Sequence, residues 1–434
     1  MRRISHRGLV AAMEEENLLP EEAATDEVSD LANSQEEGLT DIAEDEAGLA
    51  EHDALTDEAV DTAEALESIR DDLKAALEHG GLEQGGAAIL RSSLGHLYKR
   101  TGLKTVRVTP ALESFGSISR REDATKIALE EVKEQLKKIW ETIVAAVKKA
   151  IEWIKSFWKK LWDNTEPMIK RAEELKAAAS KVEGEASEKV IKNAGMAKAL
   201  HIQGKVPEGA EGAARMVEVG KKVFGDYGAW INSIEGSTKD LSNISEFTSA
   251  MDHDSFGLDP IHDAASQGIP AEGEAKVGRS KELPGGNALV VIIAKDIEKS
   301  KAGVMPFNKT SAEFKGEDVP VHQNKEHMIA VCNAVIEIGN LIKTNENTIG
   351  ICEKAKNDLL KKMDEAQKKE EGQGEAIKAA RAALKLIDTP YVALASYAVK
   401  VGKSLNQQVE QSIKAFGAKK EEAKPEAKPE AKAA

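Results

Sequence analysis

Cysteine, aromatic residues and long apolar runs are all scarce in this 434-residue chain. Its two cysteines, Cys332 and Cys352, exclude a disulfide scaffold and any zinc site that needs four thiolates. On a helix each is read as a small, reduced core residue. Nothing approaches the run of about 18 apolar residues that a membrane-spanning helix needs. The start, Met1-Arg2-Arg3, is basic, but the apolar stretch at 8–13 is too short for a signal peptide and runs into Glu14-Glu15-Glu16. Synthesis in a cytoplasm is the expectation. With 41% apolar, 4% aromatic and 31% charged residues, the composition points to elongated helical structure plus unfolded sequence. The length allows two to four units of about 100–200 residues.

Signatures of catalysis are missing as well. There is no Gly-x-Ser-x-Gly and no His-Glu-x-x-His. The segment Gly273 to Ser280 comes within one residue of a phosphate loop, with Arg279 where the lysine belongs. Such a loop needs a preceding strand to aim it, and 261–271 is not strand-like. His322 and His327 stand five apart, off the three-or-four spacing of two ligands on one helix face, and read as surface histidines. No cofactor, metal or catalytic residue is assigned. An activity assembled from loops within 204–330 stays open as a minor reading.

One sign of charge is absent from a long stretch. Residues 8–69 hold 21 Asp and Glu and no Lys or Arg. Residues 1–113 carry a net charge of −16, and 114–434 a net of +1. Up to residue 59 the chain cannot bury enough apolar area to offset its entropy, and it is expected to be disordered. Leu66, Ile69, Leu73 and Leu77 then recur at helical spacing, which predicts a helix over about 60–79 closed by Gly80-Gly81. Such a segment is read as a solvating tail or as a removable pro-segment.

The most distinctive stretch lies at 124–162. Leu129, Val132, Leu136, Ile139, Ile143, Val147, Ile151, Ile154, Trp158 and Leu161 form one apolar stripe about 50 Å long. Four of the five tryptophans, Trp140, Trp153, Trp158 and Trp162, fall here, with Phe157 and the cationic set Lys148, Lys149, Lys155, Lys159 and Lys160. Three readings fit: a helix in the protein's own bundle, a partner helix, and a helix in a membrane interface. Asp163 to Pro167 predicts its end, and a new helix is expected from Met168 through 170–200. Short helices and loops are expected over 204–286, a strand at Asn287 to Ala294, and an edge strand at Val319-Pro320-Val321 pairing with it. Helices at 345–370, 375–387 and 391–416 precede a charged tail with Lys424-Pro425-Glu426 repeats. The fold class is therefore mainly α, an elongated helical bundle with a small β patch near 287–325. The expected units are 1–113, 114–203, 204–325, 326–416 and the tail 417–434.

Ala111-Leu112-Glu113-Ser114 marks a boundary. As a small-x-Glu pattern it is weak, because Ala65-Leu66-Glu67, Ala76-Leu77-Glu78 and Ala128-Leu129-Glu130 match equally well. Those three fall in predicted helices, whereas Pro110, Ser114, Gly116 and Ser117 favour an open chain at Glu113. The net charge also divides at this bond.

An acidic leader, Thr-Pro-Ala-Leu-Glu-Ser-Phe at 109–115, the Lys/Trp helix with Lys-Lys-Ile-Trp-Glu and Ile-Glu-Trp-Ile-Lys-Ser-Phe-Trp-Lys-Lys, and Pro390-Tyr391 before a last helix follow one another in order. In this the chain resembles the internal head proteins of giant tailed bacteriophages. The resemblance implies a non-enzymatic structural protein of the virion interior, cut by the prohead protease between Glu113 and Ser114. The expected partners are that protease, other head proteins, non-specifically bound DNA and copies of itself, with ejection alongside the DNA in some members. A leader of −16 would be repelled by DNA and would screen the basic helix. The alternative is a membrane-contacting or perforating protein held inactive by its leader.

Overall fold

The computed structural model describes residues 57–101, 110–238, 256–295 and 299–343 (save 267, 272–273, 309–310 and 312), 346–366 and 373–417. The acidic run before residue 57, Thr109 and the tail after 417 lie outside the described residues. Among the described residues 71% are helical, with a small antiparallel sheet, as the sequence predicts. Helix α1 covers 57–78, and α2 is Gln84–Thr101, α3 Ile118–Ala179, α4 Ala194–Leu200, α5 Glu211–Ser237, α6 Lys325–Lys343, α7 Glu346–Ala366 and α8 Gln373–Gly417. The strands are β1 Val190–Lys192, β2 Asp259–Pro260, β3 Ala275–Arg279, β4 Asn287–Ala294, β5 Lys301–Pro306 and β6 Asp318–Pro320. One apolar core draws on every helix, from Val60 in α1 to Val409 in α8.

Helix α3 does not stop at Asp163 to Pro167 as expected; it runs on for 62 residues, about 93 Å at 1.5 Å per residue. An interior proline costs about 3 kcal/mol or more by removing one helix hydrogen bond and crowding the preceding turn. Here the buried stripe continues across it through Leu161, Thr165, Met168, Ala172 and Leu175, so ending the helix would expose the second half. Local side chains hold the turn before the proline. Thr165 Oγ1 donates to the Leu161 carbonyl at 2.7 Å and Asn164 Nδ2 to that of Lys160 at 2.8 Å. The helix ends instead at Ala179, and the expected continuation to residue 200 is replaced by a loop with Gly184 at φ 88°, then β1 and α4. Asn193 caps α4 by accepting the Met196 N–H at 2.8 Å.

The second proline junction is also bridged. The segments 375–387 and 391–416 join into a single 45-residue helix, α8, with Pro390 inside it. Proline leaves the carbonyl four residues back, on Leu386, without its helical donor. The Trp230 indole Nε1–H of α5 takes that carbonyl at 2.9 Å. One residue on, the Tyr227 hydroxyl donates to the Ile387 carbonyl and accepts the Tyr391 N–H, inserting itself into the helix ladder. Tyr227, Trp230 and Tyr391 are all buried, so α8 is completed by side chains supplied by its neighbour.

Helix α5 itself was not expected, since the region reads as short helices and loops. Its glycines, among them Gly220 and Gly228, depress helix propensity. The buried positions Met216, Val223, Tyr227, Trp230 and Ile234 nevertheless keep the helical period. Small residues also set the helix spacing elsewhere. A Cβ on Gly339 of α6 would lie 2.6 Å from Ile169 Cγ1 of α3, so only glycine permits this approach.

Strand β4 is the centre of an antiparallel sheet ordered β2-β3-β4-β5. Its unbroken apolar run follows from burial on both faces. Leu289, Val291 and Ile293 face the helical core, while Ala288, Val290 and Ile292 join a second cluster with Ile269 and Val277. The near-match to a phosphate loop is part of this sheet, because Ala275–Arg279 is β3. The predicted edge strand pairs elsewhere: Val319 lies opposite Ile191 in a separate two-stranded ribbon with β1. His322, read as a surface residue, is fully buried and donates Nδ1–H to the Glu208 carbonyl at 2.7 Å. Burial pushes both cysteine thiols up to about 12, which keeps them protonated and unreactive.

A buried ion pair links α7 to α8 just before Pro390, with Lys356 Nζ 2.5 Å from Asp388 Oδ2. Burial pushes the Asp388 carboxyl above its ordinary range despite the lysine. Two outcomes follow for stability, each read from the midpoint of denaturant unfolding. Trp230→Phe is expected to cost about 1–3 kcal/mol by orphaning the Leu386 carbonyl, and Pro390→Ala in that background to recover part of it by restoring a backbone donor. Lys356→Met is expected to cost about 3–5 kcal/mol, whereas Lys356→Met with Asp388→Leu loses far less because no buried charge is left alone.

Candidate processing site

The junction at 110–117 is a short irregular link between two helical blocks. Ala111 is extended, with φ −58° and ψ 145°. Leu112–Phe115 then makes one turn of 3-10 helix, and Ser117 is extended again before α3 begins. The open chain expected here is thus a single tight turn. Ser114 N–H donates to the Ala111 carbonyl at 2.9 Å and Gly116 N–H to that of Glu113 at 3.2 Å. The turn forms because Phe115 is drawn into a small apolar cluster with Ala87 and Ala124, and Arg121 Nε donates to the Phe115 carbonyl at 3.2 Å. Ala111 and Glu113 stay exposed, and Leu112 and Ser114 are half-buried. The other three Ala-Leu-Glu copies lie inside α1 and α3.

The described part of the leader is folded against the body. The turn between α1 and α2 sits on the start of α3: Leu82 N–H donates to Thr125 Oγ1 at 2.8 Å, and Glu83 pairs with Arg121 at 3.3 Å. Gly81, at φ 91°, is required at this contact, since a Cβ there would lie 2.6 Å from the Arg121 backbone. Helix α1 runs antiparallel to the first half of α8. Asp57 pairs with Arg381 and, at 3.6 Å, with Lys385; Glu64 pairs with Lys378; Glu67 Oε1 accepts the Gly374 N–H at 3.1 Å. Burial pushes the Glu67 carboxyl above its ordinary range. Asp57, Glu64, Lys378, Arg381 and Lys385 were missed in the sequence. The signal available was an acidic stripe at 57, 61, 64, 67 and 71 flanking Val60, Ala63 and Leu66, and a basic one at 378, 381 and 385.

The Lys/Trp helix divides into two faces. Trp140, Phe157 and Trp158 point into the core at 1%, 1% and 4% exposure. The Trp158 ring meets Tyr391 edge-on at 4.4 Å and lies 6.2 Å from the half-buried Trp162. The side chain of Trp153 lies outside the described ones. Lys148, Lys149, Lys155 and Lys159 are exposed and Lys160 is half-buried. At about 100° per residue, Lys148, Lys155 and Lys159 fall within about 40° of one another, along one flank of the buried stripe. Lys155 pairs with Glu152 at 3.0 Å and Glu353 at 3.7 Å. Asp57, Glu64 and Glu83 of the leader meet cations of α8 and the start of α3, away from this lysine face.

Among the described residues no group of His, Cys, Asp and Glu is placed to hold a metal ion, and no helix is long and apolar enough to cross a membrane. No curated protein and no solved structure matches the chain. A family model does, over residues 21–411, starting well inside the acidic run and reaching almost to the end of α8. With nine-tenths of its length covered in this way, the chain belongs to the phiKZ-like phage internal head proteins, which reside inside the capsid.

Proposed function

We propose that the chain is the precursor of a non-enzymatic internal head protein, matured by the prohead protease through cleavage between Glu113 and Ser114. The body of net charge +1 then stays in the capsid, touching packaged DNA without sequence preference and packing beside other head proteins. The observation that carries this reading is the state of the four Ala-Leu-Glu copies. Two lie within α-helices and the third closes α1 at Glu78, whereas Glu113 is exposed in a single 3-10 turn between extended Ala111 and Ser117. A protease draws its substrate into an extended cleft, and one such turn opens far more readily than a long helix. Ala186-Ser187-Glu188 also lies in a loop, but Ser187 is pinned to the Ala415 carbonyl by its N–H at 2.9 Å and its hydroxyl at 2.8 Å.

The membrane-perforating alternative requires the α3 stripe to face lipid, and the burial of Trp140, Phe157 and Trp158 weighs against it. N-terminal sequencing and intact mass of the protein from purified particles test the main reading. The expected mature terminus is Ser114; a terminus at Met1 or Arg2 overturns it. Glu113→Gln is expected to leave the full-length chain in particles while the folded content, read by circular dichroism, is unchanged.

A further inference from the structure

The cations that α1 covers form a stripe suited to a phosphate backbone. Lys378, Arg381 and Lys385 stand at i, i+3 and i+7 on one face of α8, spanning about 10 Å of helix. Their side chains are 11%, 8% and 39% exposed, and the first two are rarely so buried without a partner. Carboxylates of the leader pair with all three: Asp57 with Arg381 and Lys385, and Glu64 with Lys378. Glu375, one turn before Lys378 on α8 itself, is 3.8 Å away and 67% exposed, so it leaves the stripe cationic. Helix α1 thus lays a row of carboxylates along a row of cations, which is the charge pattern a DNA strand presents.

We propose that α1 is an internal competitor for duplex DNA, and that Lys378, Arg381 and Lys385 become a DNA-phosphate site once the leader is gone. The proposal rests on the maturation reading and deepens it, because it names the surface that processing switches on. Cleavage at Glu113 breaks the covalent tie, and α1 is then held by its ion pairs, which phosphates can contest, and by Val60, Ala63, Leu66 and Leu73 in the apolar core. Three added phosphate contacts make log affinity fall more steeply with log salt by about 2.7, at about 0.9 per contact.

Fluorescence anisotropy of a labelled duplex of about 30 base pairs, titrated with salt from about 50 mM, tests this with four full-chain proteins and the mature form from particles. Asp57→Asn with Glu64→Gln, in the uncut chain, removes the ion pairs by which α1 competes for the stripe. This variant and the mature form are expected to bind the duplex about tenfold or more tightly than the wild-type precursor at about 50 mM salt, with the steeper slope. Adding Lys378→Gln, Arg381→Gln and Lys385→Gln to the uncovered variant is expected to abolish the gain. Changing Lys148, Lys155 and Lys159 to Gln instead is expected to preserve it. No gain on uncovering, or a gain that survives loss of the α8 cations, overturns the proposal. A gain on anionic phospholipid vesicles with none on the duplex overturns it too. The uncut variant needs no protease, so a mature terminus at Met1 would sink the maturation reading while leaving this measurement intact.

Discussion

The apolar stripe of α3 has to be covered along its whole length, and no neighbouring helix is long enough to do it. Helices α6, α7 and α8 pack on it, and the C-terminal half carries the glycine contact of α6 at Ile169. The N-terminal part is sealed differently, by the leader and the junction turn. Leu82, Ala87 and Phe115 close over Ala124, and Tyr98 lies beside Glu131. The leader is therefore part of the core it is attached to. A segment read from composition as a solvating tail contributes Val60, Ala63, Leu66, Leu73, Leu90 and Leu94 to the main cluster.

The charge division gains a physical meaning from this packing. A net of −16 against +1 describes two pieces of chain, and the described part of the acidic piece uses its carboxylates on particular cations. The Lys face of α3 remains open to solvent while the α8 stripe is covered. The same chain thus presents one permanently exposed basic surface and one whose exposure depends on the leader. Opposite charges at close range also make the covered stripe less sensitive to salt than the open one.

Much of this was legible in the sequence, and the failures share a cause. The α3 stripe, the β4 strand and the helix before Gly80-Gly81 are all written in local periodicity and were read correctly. The stops at Pro167 and Pro390 were misread because a proline breaks a helix only when nothing else holds the turn. At Pro390 the compensation comes from Trp230 and Tyr227, about 160 residues away, which no local pattern reveals. The edge strand 318–320 was paired wrongly for the same reason, since its partner β1 lies far upstream. At the junction, Glu113 was legible as a boundary. The acidic and basic stripes that dock the leader were not, because their significance appears only when α1 and α8 are brought side by side.

The bridged proline at 390 has a further consequence for how the molecule opens. Elsewhere a helix can fray turn by turn, each backbone bond being replaced by one to water. Here the ladder of α8 is completed by the side chains of α5, so neither helix can loosen at this point without stripping donors from the other. Helices α5 and α8 then behave as one cooperative unit for hydrogen exchange, although 156 residues separate Trp230 from Leu386. A proline placed where a helix would ordinarily come apart has become the point at which two distant stretches of chain cannot be separated.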